Sequence, residues 1–376
     1  MGHVLDTVDT PAVLLDLRQL EDNLIGMQRL ADRLGVALRP HAKTHKSIEI
    51  ARRQLALGAI GLTVATVDEA LVFLNGGIKS ITISRPLVSA RAYQRLFAAA
   101  SARAAGLSVV VDSELGVDTA SECTVEAECS VGVFIKIDVG LRRCGVEPSS
   151  AAPLELARRI SQRQGLEFRG ILSHAGQVYA VASPAKATEI AEKERQLMLG
   201  VRDTLLAEGI PVAEVSVGST PTVLAAASLE GITEIRPGNY IFLDLLPVRV
   251  GVVEEADVAL TVLATIISKN SEFFVTDAGS KTLTSDTGGH GLGSADGFGA
   301  AYPLDAYLDR AHRLTVAGLS EEHGKLARAG FDLQVGSKVR IIPNHACPVA
   351  NLGRTYTVFN GGKVEVWPVD AAGCSR

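Results

Sequence analysis

Val36-Ala37-Leu38-Arg39-Pro40-His41-Ala42-Lys43-Thr44-His45-Lys46 sets a short apolar run directly against a cluster of cationic and imidazole side chains. The apolar triplet reads as a buried strand, and the cationic residues after it read as the loop at its C-terminal end. Taken alone, this loop is as well explained by a solvated basic turn. An amine held among other cations, however, has a depressed pKa and is freer to attack a carbonyl group. Lys43 is the better candidate nucleophile, because Pro40 fixes the backbone just before it. Charge alone does not choose between Lys43 and Lys46.

The same strand-then-helix unit recurs outward from this stretch. Upstream, Leu20, Leu24, Met27, Leu30 and Leu34 recur at helical spacing behind a short strand, Pro11–Asp16. Apolar, β-rich runs fall at Val36–Leu38, Gly61–Ala65, Ile81–Ser84, Leu107–Val111, Val131–Ile137, Phe168–Ser173, Val212–Val217 and Thr233–Ile235. Ala-, Leu-, Arg- and Glu-rich helical segments fill most of the intervals. Continuous apolar strands alternating with helices predict a parallel sheet covered on both faces. Eight such units predict an α/β fold, a (β/α)8 TIM-type barrel, with a doubly wound open sheet as the alternative. After about Val250 the texture changes to strand-like runs with few helical windows. We expect two domains: a barrel over 17–250, and a mostly β domain formed by 1–16 and 251–376. The glycine-rich Gly279–Ala301 reads as a long loop, of the kind that is usually functional.

The composition is that of a globular chain, 47% hydrophobic and 21% charged. A net charge of -5 and a pI near 5.9 speak against nucleic acid or an anionic membrane as a partner. No run approaches the roughly 18 apolar residues of a membrane helix. The start of the chain lacks the plan of a signal peptide. Its five cysteines are too few and too scattered for a disulfide framework. The expectation is a reduced, cytoplasmic protein.

A barrel carries its chemistry at the C-terminal ends of its strands, and the loops after strands 7 and 8 often hold phosphate. Here those loops are Gly218-Ser219-Thr220-Pro221-Thr222 and Arg236-Pro237-Gly238-Asn239-Tyr240, both supplying glycine and polar donors. Each alone is equally a local turn. Strand 5 leads to Arg143, and strand 6 ends at His174, followed by Gln177 and Tyr179. An amine nucleophile beside a phosphate site suggests pyridoxal 5'-phosphate held as a Schiff base. Further on, Pro343-Asn344-His345-Ala346-Cys347-Pro348 places two metal-binding side chains two residues apart, on one side of what reads as an extended segment. His323 is a further candidate for the polar cluster. Cys144 lacks the His/Asp surroundings of a nucleophile.

Over nearly its full length the chain resembles the D-serine dehydratase and D-threonine aldolase family of fold-type III pyridoxal phosphate enzymes. The resemblance rests on Asp9-Thr10-Pro11-Ala12, on Arg39 through Lys46, on Val217 through Thr222, on Arg236 through Tyr240 and on Pro343 through Pro348. It implies that Lys43 anchors the cofactor covalently, with Tyr179, Thr220, Gly238 and Asn239 around its phosphate. It also implies that His174 stacks on the ring, Arg143 faces the phenolic oxygen and Arg236 faces the ring nitrogen. Within the family, His345 and Cys347 look like the zinc pair of the dehydratases, whereas the aldolases typically carry Asp at the second position. A thiolate favours Zn²⁺, and a carboxylate suits Mn²⁺ or Mg²⁺. The Ser219-Thr220-Pro221-Thr222 loop is likewise closer to the dehydratases.

The function this implies is dehydration of a D-3-hydroxy amino acid (D-serine, D-threonine or D-threo-3-hydroxyaspartate) to a 2-oxo acid and ammonia. Lys43 would take the α-proton, and the metal would assist departure of the β-hydroxyl. The rivals are a D-threonine-type aldolase, an amino-acid racemase with Tyr179 or a partner tyrosine as second base, and a cofactor carrier. A carrier needs neither a metal pair nor a second domain. A homodimer is expected by resemblance.

Overall fold

The computed structural model describes residues 4–288 and 296–376. Part of the expected Gly279–Ala301 loop, residues 289–295, lies outside them. Strand β1 (Ala12–Asp16) leads into the helix Leu17–Leu34, which begins where the Asp16 carboxylate accepts the Gln19 N–H. That helix buries Leu20, Leu24, Met27 and Ala31 and stops at Gly35, whose φ of 67° suits glycine.

Eight parallel strands follow: β2 (Ala37–Leu38), β3 (Leu62–Val64), β4 (Ser80–Ile83), β5 (Gly106–Val111), β6 (Val131–Lys136), β7 (Leu166–Leu172), β8 (Glu214–Val217) and β9 (Glu234–Ile235). They pair in the order β2-β9-β8-β7-β6-β5-β4-β3. The ends of this sheet meet: Ala42 N–H donates to the Thr63 carbonyl and Thr63 N–H to that of Pro40, both at 2.8 Å. The result is the expected barrel, not an open sheet. Its strands are apolar without alternation because side chains from both faces are covered; all six residues of β6 are buried.

The second sheet has nine strands in the order β11-β14-β13-β12-β15-β10-β1-β16-β17. Its later members are β10 (Leu260–Lys269), β11 (Phe273–Thr276), β12 (Gly299–Pro303), β13 (Leu314–Leu319), β14 (Gly324–Ala327), β15 (Lys338–Pro343), β16 (Thr355–Asn360) and β17 (Lys363–Pro368). Pairing is antiparallel except between β1 and β16. Three strands, β12 to β14, are not evident from the sequence, because glycine and charged residues interrupt their short apolar runs. Within the expected Gly279–Ala301 loop, Ser280–Leu283 forms a helix and Gly299–Ala301 opens β12.

The two sheets meet around the loop after β2. The Tyr356 hydroxyl donates to the His45 carbonyl at 2.6 Å, and Asp370 accepts the Ile48 N–H at 2.7 Å. Lys46 is buried, ion-paired with Glu69 at 2.7 Å, and donates to the Ala371 and Cys374 carbonyls. Lys46 is therefore a structural tie between the loop, the barrel and the C-terminal segment. Lys43 is left facing the cavity.

Candidate active site

Two adjoining compartments of about 520 and 290 Å³ open at the C-terminal ends of the barrel strands. His41, Lys43, Arg143, His174 and Arg236 wall both. The larger adds Ser84, Arg85, Asp112, Lys136 and Cys144. The smaller adds Tyr179, Ser219, Thr220, Gly238, Asn239, His345 and Cys347. Residues from both sheets thus converge on one cleft.

Burial lowers the Lys43 pKa, and the Arg143 and Arg236 guanidiniums lower it further, against the opposing pull of Cys347 and Glu69. More of its amine is free at neutral pH. His41 is held well below its ordinary value by burial and by Lys43, so it is a neutral imidazole. Its Nδ1 accepts the Lys43 N–H at 3.4 Å, which leaves Nε2–H to donate to Ser84 Oγ at 3.0 Å. Ser84 passes the chain on to the Val64 carbonyl. The imidazole therefore buttresses the backbone of Lys43.

Arg236 enters from β9 and is almost wholly buried. Its Nε donates to Ser216 Oγ at 2.7 Å, and a second nitrogen donates to the Ser173 carbonyl. Ser216 in turn donates to Glu234, which pairs with Arg39 at 2.6 Å. Burial lowers the Arg236 pKa to about 10, so it is still a charged donor at pH 7.

Lys136, at the end of β6, is buried against the same cavity. Burial and the Arg236 charge bring its pKa from 10.5 down to about 7. Its unfolded form therefore binds a proton that the folded form lacks between those two values, and folding stability rises with pH there. Replacing Lys136 with Met is expected to stabilise the cofactor-free protein most below pH 7. That advantage should shrink by about 1.4 kcal/mol per pH unit above it. Urea unfolding of both proteins across this range measures the difference; a pH-independent difference would refute the buried neutral amine.

The fit of a phosphate-bearing cofactor rests on the smaller compartment. Gly238 approaches the lysine loop so closely that an added Cβ would lie 2.9 Å from Thr44 Oγ1 and 3.0 Å from the His41 carbonyl oxygen. Only glycine fits this wall. Ser219 and Thr220 begin a helix, where the first N–H groups have no intrahelical acceptor. Tyr179 hydrogen-bonds Thr220, and burial raises its phenol well above the ordinary value. A cation-rich cleft with a glycine wall and hydroxyl donors suits a phosphate ester beside Lys43.

The donor set of His345 and Cys347 fits a metal. Asp286 holds His345 Nδ1 at 2.8 Å, orienting the ring as carboxylates orient metal-binding imidazoles. Burial pushes the Cys347 thiol up, but His345, Lys43 and Thr44 together bring it below its ordinary value, so it is disposed to act as a thiolate. Among the described residues no third His, Cys, Asp or Glu completes a set. Two protein ligands leave positions for water or substrate, as a catalytic site requires. The pair is not on an extended segment as expected. His345 caps the helix Ala346–Leu352, and Cys347 lies in its first turn.

Several expected site residues lie elsewhere. The Gln177 side chain donates to the Val139 carbonyl at 3.0 Å, steadying the Arg143 loop instead of lining the cavity. Tyr240 points into the core, where its hydroxyl accepts from Gln54, and its N–H is already taken by Thr220. Gly218 contributes a carbonyl, which engages His174 Nδ1 at 3.0 Å. His323 is exposed in the turn between β13 and β14, beside Ser320. Conversely, sequence reasoning missed His41, Lys136 and Asp286. Lys136 carried a legible signal, since a lysine closing an apolar barrel strand sits where catalytic groups collect.

Barrel, second sheet and a lysine-centred cationic cleft define the alanine-racemase-like class of fold. The family model "Alanine racemase, N-terminal domain" matches residues 15–245, and "Putative serine dehydratase domain" matches residues 259–359. The chain belongs to this family. It is 35% identical to D-threo-3-hydroxyaspartate dehydratase of Delftia sp. (strain HT23), over 98% of each chain. It is 33% identical to D-threonine aldolase of Arthrobacter sp., over 100% of this chain and 96% of the relative. The solved structure of the Delftia sp. HT23 dehydratase superposes with a TM-score of 0.90 at 34% identity, covering 98% of this chain and 99% of that one. A cysteine-to-alanine mutant of D-threo-3-hydroxyaspartate dehydratase, in the metal-free form, superposes with a TM-score of 0.91 at 34% identity, covering 98% and 99% of the two chains.

Proposed function

We propose that this chain is a pyridoxal phosphate- and Zn²⁺-dependent lyase that dehydrates a D-3-hydroxy amino acid to a 2-oxo acid and ammonia. The observation that carries the reading is the placing of Lys43 in the wall of a single cleft, between a glycine-walled hydroxyl cradle and His345 with Cys347. When bound, the cofactor would supply a reactive carbonyl carbon and an electron sink, and the metal a Lewis acid for the departing hydroxyl. Ser219, Thr220, Gly238, Asn239 and Tyr179 would receive the phosphate. His174 would lie against the ring, Arg143 at the phenolic oxygen and Arg236 at the ring nitrogen. Lys43 would anchor the cofactor and then, released by the substrate amine, accept the α-proton at Nζ. His345 and Cys347 would hold the metal, with Asp286 fixing the imidazole. We further propose a small-molecule D-amino acid as the partner, a homodimer and a cytoplasmic location. No described helix is long and apolar enough to cross a membrane.

D-Threonine-type aldolase chemistry is the second reading, favoured by the 33% identity to the Arthrobacter enzyme. Cys347 favours the dehydratase, since a thiolate selects Zn²⁺ over the harder ions. Incubating the loaded protein with D-threonine separates the two. We expect 2-oxobutanoate with ammonia; glycine with acetaldehyde would establish the aldolase instead. If neither pair appears, D-serine and D-threo-3-hydroxyaspartate are assayed in the same way, and inertness toward all three would refute the proposal.

A further inference from the structure

Asp244 lies where the barrel hands over to the second sheet, between the turn Asn239–Ile241 and the helix Leu245–Val250. Its side chain is completely buried. One oxygen, Oδ2, accepts both Asn239 Nδ2 at 3.0 Å and the Ala346 N–H at 2.7 Å. The other, Oδ1, accepts the Leu246 N–H at 3.0 Å. Asn239 and Leu246 line the smaller compartment. Ala346 is the residue between His345 and Cys347. A single oxygen atom thus joins the wall of the phosphate cradle to the backbone of the metal pair, although the two come from different sheets.

We propose that Asp244 is a positioning residue that couples cofactor binding to metal binding. The inference rests on the function proposed above. A buried acceptor that loses one of its donors forfeits that hydrogen bond and part of what offsets its burial. The segment at Ala346 and the amide of Asn239 are therefore held in register, each at the position the other allows. A ligand that orders one side removes part of the cost of ordering the other. The coupling is reciprocal: metal tightens cofactor binding by the same factor by which cofactor tightens metal binding. Arg249 braces the same segment by donating to Asn344 Oδ1 at 2.6 Å.

The test is pyridoxal phosphate binding to the full-length protein, with and without saturating Zn²⁺, together with Zn²⁺ binding by chelator competition, with and without pyridoxal phosphate. Wild type is expected to show the same factor in both experiments, about tenfold. Asp244→Ala removes the oxygen that Asn239 and Ala346 share. It should still bind both ligands, with the factor reduced to near one. Asn239→Ala cuts the same link from the cradle side and should also remove it, which covers the case in which Asp244→Ala does not fold. Independent binding in wild type, or a variant that retains the full factor, would overturn the coupling and leave the proposed function intact. Failure of wild type to bind Zn²⁺ or pyridoxal phosphate at all would overturn both.

Discussion

Lys43→Ala is expected to reduce turnover by at least about 10³-fold and to remove the visible absorbance of covalently held pyridoxal phosphate. One substitution would delete both the anchor and the base, and positioned proton transfer alone is worth about 10²- to 10⁴-fold. The structure supplies an internal rival, which makes the experiment decisive. Lys136 lines the same cleft, and its pKa is lowered to about 7. Lys46 is excluded as the nucleophile by its ion pair with Glu69 and its two carbonyl acceptors. Borohydride reduction of the loaded wild type, followed by peptide mapping, should place the label on Lys43. Label on Lys136, or absorbance that survives Lys43→Ala, would move the covalent role to the neighbouring amine.

The second large effect is expected from Cys347→Ala. With one of two protein ligands gone, Zn²⁺ affinity should fall by more than the roughly 10- to 100-fold typical of losing an outer-shell partner. Dehydration should slow in proportion to the metal lost, while the absorbance of Lys43-bound cofactor persists. Saturating pyridoxal phosphate keeps the cofactor on Lys43, its affinity lowered only by the roughly tenfold coupling factor that the lost metal no longer supplies. If Cys347→Ala kept its zinc content, or if chelation left turnover unchanged, the metal role of the pair would be refuted. Cys347→Asp supplies the complementary measurement. Its carboxylate is expected to shift the preference from Zn²⁺ toward Mn²⁺. Whether the products shift as well, toward glycine and an aldehyde, tests how far this one side chain directs the reaction.

Much of the architecture was legible because a parallel barrel buries both faces of every strand. The eight apolar runs need no alternation to be recognised, and each of them overlaps a barrel strand. The second sheet was less legible. Strands β12 to β14 are short and contain glycine, and β12 and β14 complete their pairing with strands far away in the chain, β15 and β11. Site residues followed the same division. The cationic loop after β2, Arg236 and the Ser219–Thr220 and Gly238–Asn239 loops could be placed because barrel topology assigns strand ends to one rim. Gln177 and Tyr240 stand in the same stretches, yet their side chains turn to Val139 and Gln54. Which way a loop side chain points is decided by what it finds to bond with.

From the sequence alone came the barrel, a cationic strand end, two turns able to hold phosphate and a His-x-Cys pair, because these are local or periodic properties. Tertiary structure decided which lysine faces the cavity, by burying Lys46 against Glu69 and the C-terminal carbonyls. It also brought Asp286 to His345 across 59 residues of chain. Asp244 reached Ala346 across 102. Long-range hydrogen bonds leave no period in a sequence; they exist only once the two sheets are packed together.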